Sequence, residues 1–556
     1  MTMLPTPNVP STYPNESAYW SAREALQADE KSLAFTAGLR FTPTESRAST
    51  IVSALRAQEK ETLYGRIDDA GSFIEHAHQY MPAKHIIDTT KLLSIAKRAP
   101  KGALLHCHLD AMLPPLDSLI KSARGRKGLC ISLDMKSNCL DWMKKALPVF
   151  QMLPADDAEK AAEISFFDPI YIPGVHGKGI AYQPGTWTTW SRFCEEFPGG
   201  QSAAENFVAK RILLNREDVY HTSQTVDGIW HQFNRAFATM RGLLLYQSAF
   251  TEHFRLVLRD LVADNISYAE IRVAFHRYND VWTDDGTHTI PRPELLKLMN
   301  DIIKSEVATA AAAGKTFYGV KIIFSALRSG KMEDMEYVMD ECIALKQEYP
   351  ELICGFDMCG QEDAGYPLTH WVPSLLQMRS KCDELGVDLP FVLHAGETLS
   401  HGTETDGNLF DALLLNSKRI GHGFSIAQHP LLMEMCKTRG VAIEVCPISN
   451  EVLGLCPGVR SHPMTPLLAF GVPCTINSDD PGVFSSSLSH DFYQTMIGSE
   501  SMDLAGWRKL IEWSFEYSCM SSEEKTTRLA VFKTEWEAFC EGIVDEYSEA
   551  LNLEAP

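Results

Sequence analysis

The chain has 556 residues, 45% of them hydrophobic and 22% charged. That is ordinary globular usage with ample material for a large core, so disorder and fibrous architecture are excluded as descriptions of the whole. A balance of 51 Lys+Arg against 72 Asp+Glu gives a formal net charge of -21. Nucleic acids and anionic membranes recruit basic surfaces, so neither is an expected partner. No run approaches the roughly 20 apolar residues of a membrane span. Met1 to Trp20 has no basic start and no apolar run, so no secretory signal is expected. The 14 cysteines contain no C-x-x-C pair and read as reduced, mostly buried thiols of a cytoplasmic protein.

In chain order, residues 1 to about 20 read as a disordered or loosely docked arm. Ser21 to Ala99 carries Leu, Ile and Ala at three- and four-residue spacing and is expected to be helical. Gly102-Ala-Leu-Leu-His-Cys-His108 reads as a short buried strand. Ser122 to Thr225 has no clear repeat and contains loop-like passages at Ile172–Lys178 and Pro198–Gly200, so it reads as an insertion or small subdomain.

After Asp227 the pattern alternates. Strand-like runs fall at Ile266–Val273, Phe317–Phe324, Ile353–Asp357, Pro390–His394, Arg419–His422, Val441–Cys446 and Pro473–Ser478, mostly separated by helical stretches. With the first run they make eight, the rhythm of parallel strands with helical crossovers. The expected fold is a closed α/β barrel, (β/α)8 TIM type, with a helical amino-terminal region over 1–100 and an insertion at 122–225. Its chemistry would sit at the carboxyl ends of the strands. The tail from Leu504 to Leu553 is expected to pack outside it as helix.

Four of those ends carry reactive side chains. His106 and His108 end one strand, where residues two apart share a face and can reach one ion. His76 and His78 have the same spacing inside a helical stretch, where they would point apart. His394 precedes a Gly turn that presents Glu397, a carboxyl that burial would make a general acid or base. His422 lies between two glycines, Gly421 and Gly423. Asp479 and Asp480 end the last strand as adjacent carboxylates, one suited to an ion and one to substrate. Nitrogen and oxygen donors without a thiolate pattern suit zinc or another borderline divalent ion with an open position. Such an ion lowers the pKa of bound water towards 7, so the residues point to metal-assisted hydrolysis.

In their order, His106-Cys-His-Leu-Asp110, His394-Ala-Gly-Glu397, Gly421-His-Gly423 and Asp479-Asp-Pro481 resemble the adenosine and AMP deaminase family of metal-dependent amidohydrolase barrels. Gly355-Phe-Asp-Met-Cys-Gly-Gln-Glu-Asp363, Arg419-Ile-Gly-His-Gly-Phe424 and Glu444-Val-Cys-Pro-Ile-Ser-Asn450 are similar to its adenosine deaminase growth factor branch. The resemblance extends from Gly102 to the end and is weakest over 122–225. It implies one zinc ion per chain held by His106, His108, His394 and Asp479. It also implies a catalytic Glu397 that protonates purine N1, a His422 that orients the zinc-bound hydroxide, and an Asp480 at N7. The Gly360 amide would meet N3, and Asp110 the ribose 5′ hydroxyl. Adenosine or 2′-deoxyadenosine would become inosine and ammonia.

Trp230 and His276 fall where that branch places ribose-side contacts, although by local sequence they read as core packing and as a solvated loop residue. The spacing at Asp110 is that of intracellular adenosine deaminases, and the branch's usual secretion signal is not seen. A homodimer built on the amino-terminal helices is also implied. Three readings compete: a deaminase of AMP or other adenine nucleotides, which would need basic residues near the ribose; a non-catalytic growth-factor-like binding protein; and an amidohydrolase acting on an unrelated small molecule, since one barrel supports many chemistries. The cytidine-type deaminase pattern, H-x-E with P-C-x-x-C, does not occur. Whether Cys130 and Cys139 pair is left open.

Overall fold

A computed structural model of the chain describes residues 10–64, 66–67, 73–74, 79–174, 183, 185–276 and 279–549. Eight short parallel strands organise it: β1 (Ala103–Leu104), β2 (Tyr268–Ala274), β3 (Val320–Leu327), β4 (Ile353–Cys359), β5 (His394–Ala395), β6 (Arg419–His422), β7 (Ala442–Val445) and β8 (Cys474–Ile476). Each overlaps or directly abuts one of the eight apolar runs. They form two four-stranded sheets, β1-β2-β3-β4 and β5-β6-β7-β8. Helices Arg292–Ala312, Met332–Glu348, Leu368–Leu385, Glu404–Leu414, Pro430–Arg439 and Met464–Phe470 cross between successive strands from β2 onward, as parallel pairing requires.

Both seams between the sheets are bridged. At one, Phe356 pairs with Phe391, and the Phe356 and Val392 amides donate to Pro390 and Phe356 carbonyls at 3.0 Å each. At the other, Cys107 pairs with Asp479; the His108 amide donates to the Asp479 carbonyl at 3.2 Å and the Asp479 amide to the His106 carbonyl at 3.1 Å. The Asn477 side-chain carbonyl accepts from the Leu105 and His106 amides at 3.0 Å each, so an amide side chain mends the ladder beside it. β1 and β5 are shorter than the sequence suggests, because their continuations pair through isolated bridges and side chains rather than a regular ladder.

Between β1 and β2 lies a compact insertion. Leu129–Leu133 pairs antiparallel with both Pro148–Met152 and Thr188–Thr189. Trp142, Phe166, Phe193, Phe197 and Phe207 pack as an aromatic cluster continuous with the main core, with the Trp142 and Phe166 ring centroids 5.0 Å apart. The stretch read as an insertion or small subdomain therefore contains a sheet, and the loop-like Pro198–Gly200 leads into helix Gly200–Ile212 with Gly199 at φ +94°. Cys130 is buried, Cys139 exposed, and both are free. His76 and His78, and Val175–Lys178 of the loop-like passage, lie outside the described residues.

The amino-terminal region differs from expectation in two places: Arg66–Ile67 and Phe73–Ile74, inside the stretch expected to be helical, pair as short antiparallel strands, and its first helix starts earlier. Helix Glu16–Ser32 begins inside the stretch read as an arm, because Asn15 caps it by accepting from the Ala18 amide at 2.9 Å. None of its residues is buried. Helix Pro43–Thr62, which opens on a Thr42/Glu45 capping box, buries Ala48, Ile51, Val52 and Leu55 at helical spacing. It packs on the carboxyl-terminal helix Ser522–Tyr547, which buries Phe532, Trp536, Cys540 and Ile543 on one face. Among the described residues no helix is long and apolar enough to cross a membrane.

Candidate active site

The reactive side chains singled out at the strand ends converge on one cavity at the carboxyl ends of the strands, with His106 fully buried behind its lining beside Asp479. Its volume is about 370 Å³, and His108, Asp110, Gly360, His394, Glu397, His422, Asp479 and Asp480 line it. Trp230 and His276 line it too. Trp230 lies on helix Val226–Leu244, whose Phe233, Asn234, Phe237, Ala238 and Arg241 face the same space at three- and four-residue spacing. So Trp230 is both packed and part of the wall, and His276 is a wall residue.

At the centre, Asp479 Oδ1 stands 3.2 Å from His106 Nε2 and 3.3 Å from His108 Nε2. The donor atoms of His106, His108 and His394 lie within 4.8 Å of one another, as do those of His108, Asp479 and Asp480. His106 Nε2 and Asp479 Oδ1 are buried without a hydrogen-bond partner among the described residues. Buried polar atoms are rarely left so. The remaining ring nitrogens are committed elsewhere: His106 Nδ1 meets Glu444 Oε2 at 2.7 Å and His394 Nδ1 meets Asp357 Oδ2 at 2.7 Å. Each carboxylate thereby aims its imidazole's Nε2 at the centre, the outer support that metal-ligating histidines need. Three imidazoles and a carboxylate so oriented fit a borderline divalent ion with a position left open.

That support is itself a chain of buried charges. Arg272 donates to Asp357 at 2.8 Å and to Glu444 at 2.7 Å; Arg419 donates to Glu444 at 2.6 Å and to Glu270 at 2.7 Å. Burial alone would raise the two carboxyls, but His394 and Arg272 beside Asp357, and Arg272 and Arg419 beside Glu444, hold both well below the usual range. Burial pushes His394 down to about 3, so its imidazole is neutral and able to ligate.

Two acids behave oppositely. Burial, with the Asp479 and Glu362 charges nearby, pushes Glu397 well above the carboxylate range, and burial with Asp479 and Asp110 does the same to Asp480. Asp479 stays well below it, held by His422, His106 and His108 against the cost of burial. Neighbouring carboxyls whose environments push them apart are the signature of divided acid and anion roles. Glu362 also fixes Glu397 in space, accepting from the Gly396 and Glu397 amides at 3.2 and 2.9 Å.

His422 has a defined tautomer. The Met464 amide donates to His462 Nδ1 at 3.0 Å, so His462 donates from Nε2 to the Asn450 carbonyl at 2.9 Å. The Asn450 amide then donates to His422 Nδ1 at 3.1 Å, which leaves the His422 proton on Nε2, 3.8 Å from Asp479 Oδ2. Burial holds His422 well below its ordinary value, so it is neutral. His422 and Asp479 both have φ +58°, a left-handed conformation that turns them off their strands into the cavity.

Sequence reasoning missed the supporting shell: Arg272, Asp357, Arg419 and Glu444 for the ligands, Glu362 for Glu397, Asn450 and His462 for His422. The available signal was charge inside otherwise apolar strands, as in Ile271-Arg-Val273 and Ile443-Glu-Val445.

Comparison with known proteins follows the same lines. A family profile described as "Adenosine deaminase" matches residues 214–531, more than half of the chain. Adenosine deaminase 2-A of Danio rerio is 31% identical over 85% of each chain, and adenosine deaminase 2 of Sus scrofa is 29% identical over 93% of each. Among solved structures, Arabidopsis ADAL complexed with GMP superposes with a TM-score of 0.53 at 16% identity, covering 79% of this chain and 98% of the other. The N6-methyl-AMP deaminase from Arabidopsis thaliana does so at 0.52, with 16% identity, 80% of this chain and 98% of the other. At such identity these two speak for the fold alone. The chain belongs to the adenosine deaminase family.

Proposed function

We propose that the protein is a zinc-dependent aminohydrolase that converts adenosine and 2′-deoxyadenosine to inosine and ammonia at the mouth of a closed (β/α)8 barrel. The observation that carries this reading is the convergence of three imidazoles, one ionised and two neutral carboxyls and an oriented neutral imidazole on one cavity. The two bridged seams support closure of the barrel, and the cavity lies where such barrels collect their chemistry.

His106, His108, His394 and Asp479 would hold one zinc ion. A divalent ion there supplies a water of lowered pKa as nucleophile at neutral pH. The remaining residues match the hydrogen-bonding pattern of a purine. Ring nitrogens N1, N3 and N7 are acceptors, so each needs a donor. Glu397, protonated by its surroundings, gives its proton to N1 and makes C6 electrophilic. Asp480, also protonated, donates to N7, and the Gly360 amide to N3. His422 donates from Nε2 to the oxygen that adds at C6 and stabilises charge as aromaticity is lost. Asp110 accepts from the ribose 5′ hydroxyl, with Trp230 and His276 on the ribose side. Ammonia leaves C6 as the ring regains aromaticity.

One observation favours a second reading, an AMP-type substrate. Arg241 lines the cavity close enough to Asp110 that the two feel each other's charge. It is the basic residue a 5′ phosphate would need, although Asp110 would repel that phosphate.

We also assign residues 1–100 to a helical region serving a homodimer, supported by helix Glu16–Ser32 with Tyr19, Trp20 and Leu26 unburied, followed by an equally exposed Leu33. Residues 101–556 form the deaminase unit, with 122–225 as an insertion. A cytoplasmic setting is supported by fourteen free cysteines, of which only Cys139 is exposed.

The test is a substrate panel on protein reconstituted with zinc, read by chromatography of inosine and by ammonia release. Adenosine is expected to give the highest kcat/KM, and chelation to abolish turnover until zinc is restored. A higher kcat/KM for AMP would establish the second reading, and no inosine from either would overturn both.

A further inference from the structure

At the opposite, amino-terminal end of the strands, three side chains converge that the proposed reaction does not use. The ligand atoms of Glu270 on β2, Cys354 on β4 and Cys519, just beyond helix Leu504–Glu516, lie within 4.8 Å of one another. A metal does not suit them. Glu270 is already committed, accepting from the Tyr268 hydroxyl at 3.1 Å, the Cys519 amide, and Arg419 at 2.7 Å. Arg419 and Lys418 add positive charge beside the sulfurs, which repels a cation. What remains is a pair of thiols.

The pair is asymmetric. Cys354 is 5% exposed and Cys519 is partly exposed, and both pack on Ile323 and Val392. Arg419 Nη1 donates to Cys519 Sγ at 3.5 Å. The neighbouring Cys354 thiol, together with Arg419 and Lys418, holds the Cys519 thiol below its ordinary value, while burial pushes Cys354 well above it. Burial likewise pushes the Cys107, Cys342, Cys436 and Cys474 thiols up. A partly exposed cysteine whose sulfur meets a guanidinium, with a buried thiol behind it, is the layout of an attacking and a resolving cysteine.

We propose that Cys519 and Cys354 form an oxidant-reactive dithiol that closes to a reversible disulfide, a modification site on the far side of the strands from the cavity. With hydrogen peroxide as oxidant, the Cys519 thiolate attacks one peroxide oxygen. The O–O bond breaks, leaving Cys519 as sulfenic acid and a hydroxide that takes up a proton. Cys354 sulfur then attacks the sulfenyl sulfur, the S–O bond breaks, and the thiol proton leaves with that oxygen as water. Two thiols lose two electrons and one peroxide becomes two waters. A small disulfide such as glutathione disulfide reaches the same product by exchange, releasing two thiols.

The dithiol is wired to the cavity. Arg419 also donates to the Tyr517 carbonyl at 3.0 Å and to Glu444 at 2.6 Å, and Glu444 holds His106 at 2.7 Å. Closing the disulfide takes the thiolate from Arg419 and pulls on the segment that carries Tyr517. This link to activity rests on the proposed function; the dithiol does not.

The full-length protein, treated with hydrogen peroxide or glutathione disulfide, is quenched with iodoacetamide and digested without reduction. The expected product is a Cys354–Cys519 cross-linked peptide. The Cys354→Ser variant should stop at a Cys519 sulfenic acid that dimedone captures. Limited alkylation of the unmodified protein, which needs no variant, should label Cys519 at least about threefold faster than the exposed Cys139 at pH 7. Oxidation confined to Cys139, or slower labelling of Cys519 than of Cys139, would overturn the proposal. In the same samples, kcat/KM for adenosine should fall more than about twofold and recover with dithiothreitol. The Cys519→Ser variant should show no such peroxide effect. A cross-linked protein of full activity would leave the dithiol standing and remove its link to His106.

Discussion

Glu444→Gln isolates what the buried charge chain contributes. Glu444 Oε1 accepts from Arg419 at 2.6 Å, and Oε2 meets both Arg272 and His106 at 2.7 Å, with every partner fully buried. Glutamine keeps the shape but has one acceptor oxygen for three donors and turns an N–H₂ towards one of them. Two guanidiniums also lose their shared counter-charge. Removing one partner from a buried ion pair costs about 3–5 kcal/mol. At about 2.1 cal/mol/K per residue, cooperative unfolding of 556 residues carries an entropy of roughly 1.2 kcal/mol/K, so Tm should fall by roughly 3–4 °C. Loss of an outer-shell partner should also weaken zinc binding about 10–100-fold, equivalent to about 1.4–2.7 kcal/mol. The sign with pH follows from the folded carboxyl lying below its ordinary value of 4.5. Its stabilisation is complete above that value and is lost as pH falls towards the folded one, so the variant's Tm should be flatter with pH on the acid side. Calorimetry across pH and zinc titration against a competing chelator measure these quantities. A Tm within about 1 °C of the parent, with zinc affinity within about twofold, would show that the buried charge chain supports neither the fold nor the ligands.

Three further outcomes follow from particular contacts. Glu397→Gln keeps a neutral side chain of the same shape but removes the transferable proton; inosine formation should slow about 10²–10⁴-fold with zinc content unchanged. A Cβ on Gly421 would sit 3.0 Å from His106 Cε1 and 3.2 Å from His394 Cα. Gly421→Ala should therefore cost about 1–3 kcal/mol and weaken zinc binding, whereas Gly407→Ala, with nothing within 4 Å of its Cβ, should not, as calorimetry and metal analysis would read. Burial raises Glu451 from 4.5 to about 8, against hydrogen bonds from Tyr220 and the Tyr80 amide. The folded state thus binds the extra proton, and stability should decline as pH rises from 4.5 towards 8; Glu451→Gln should flatten that decline in a denaturation series across pH.

The strand rhythm and the site were legible because each rests on local pattern. Eight apolar runs at helical separation left one economical arrangement, and strand ends carrying His106, His108, His394, His422 and Asp479 pointed to one cavity. Trp230 was legible only as a core aromatic, because its place on the wall depends on where helix Val226–Leu244 docks. The sheet within 122–225 was masked by Pro, Gly and short strands whose pairing is antiparallel and local to the insertion. Above all, the supporting shell could not be read, since Arg272 finds Asp357 and Glu444, 85 and 172 positions away, only after the strands assemble.

Those same long-range contacts explain how two strained residues persist. A left-handed conformation costs a non-glycine residue on the order of 1–3 kcal/mol and survives only where its surroundings over-determine it. Asp479 is clamped on both sides by β1, through the His106 carbonyl at 3.1 Å and the His108 amide at 3.2 Å. His422 is followed by Gly423, whose amide donates to Gly421 at 2.7 Å and to Ala395 of the neighbouring strand at 3.2 Å. In both cases a strand that carries a histidine of the cavity also holds its neighbour's site residue, Asp479 or His422, in a conformation the chain would otherwise leave. At these two positions the left-handed turn swings the side chain sharply off the strand end towards the common centre, whereas His106, His108 and His394 reach it without one.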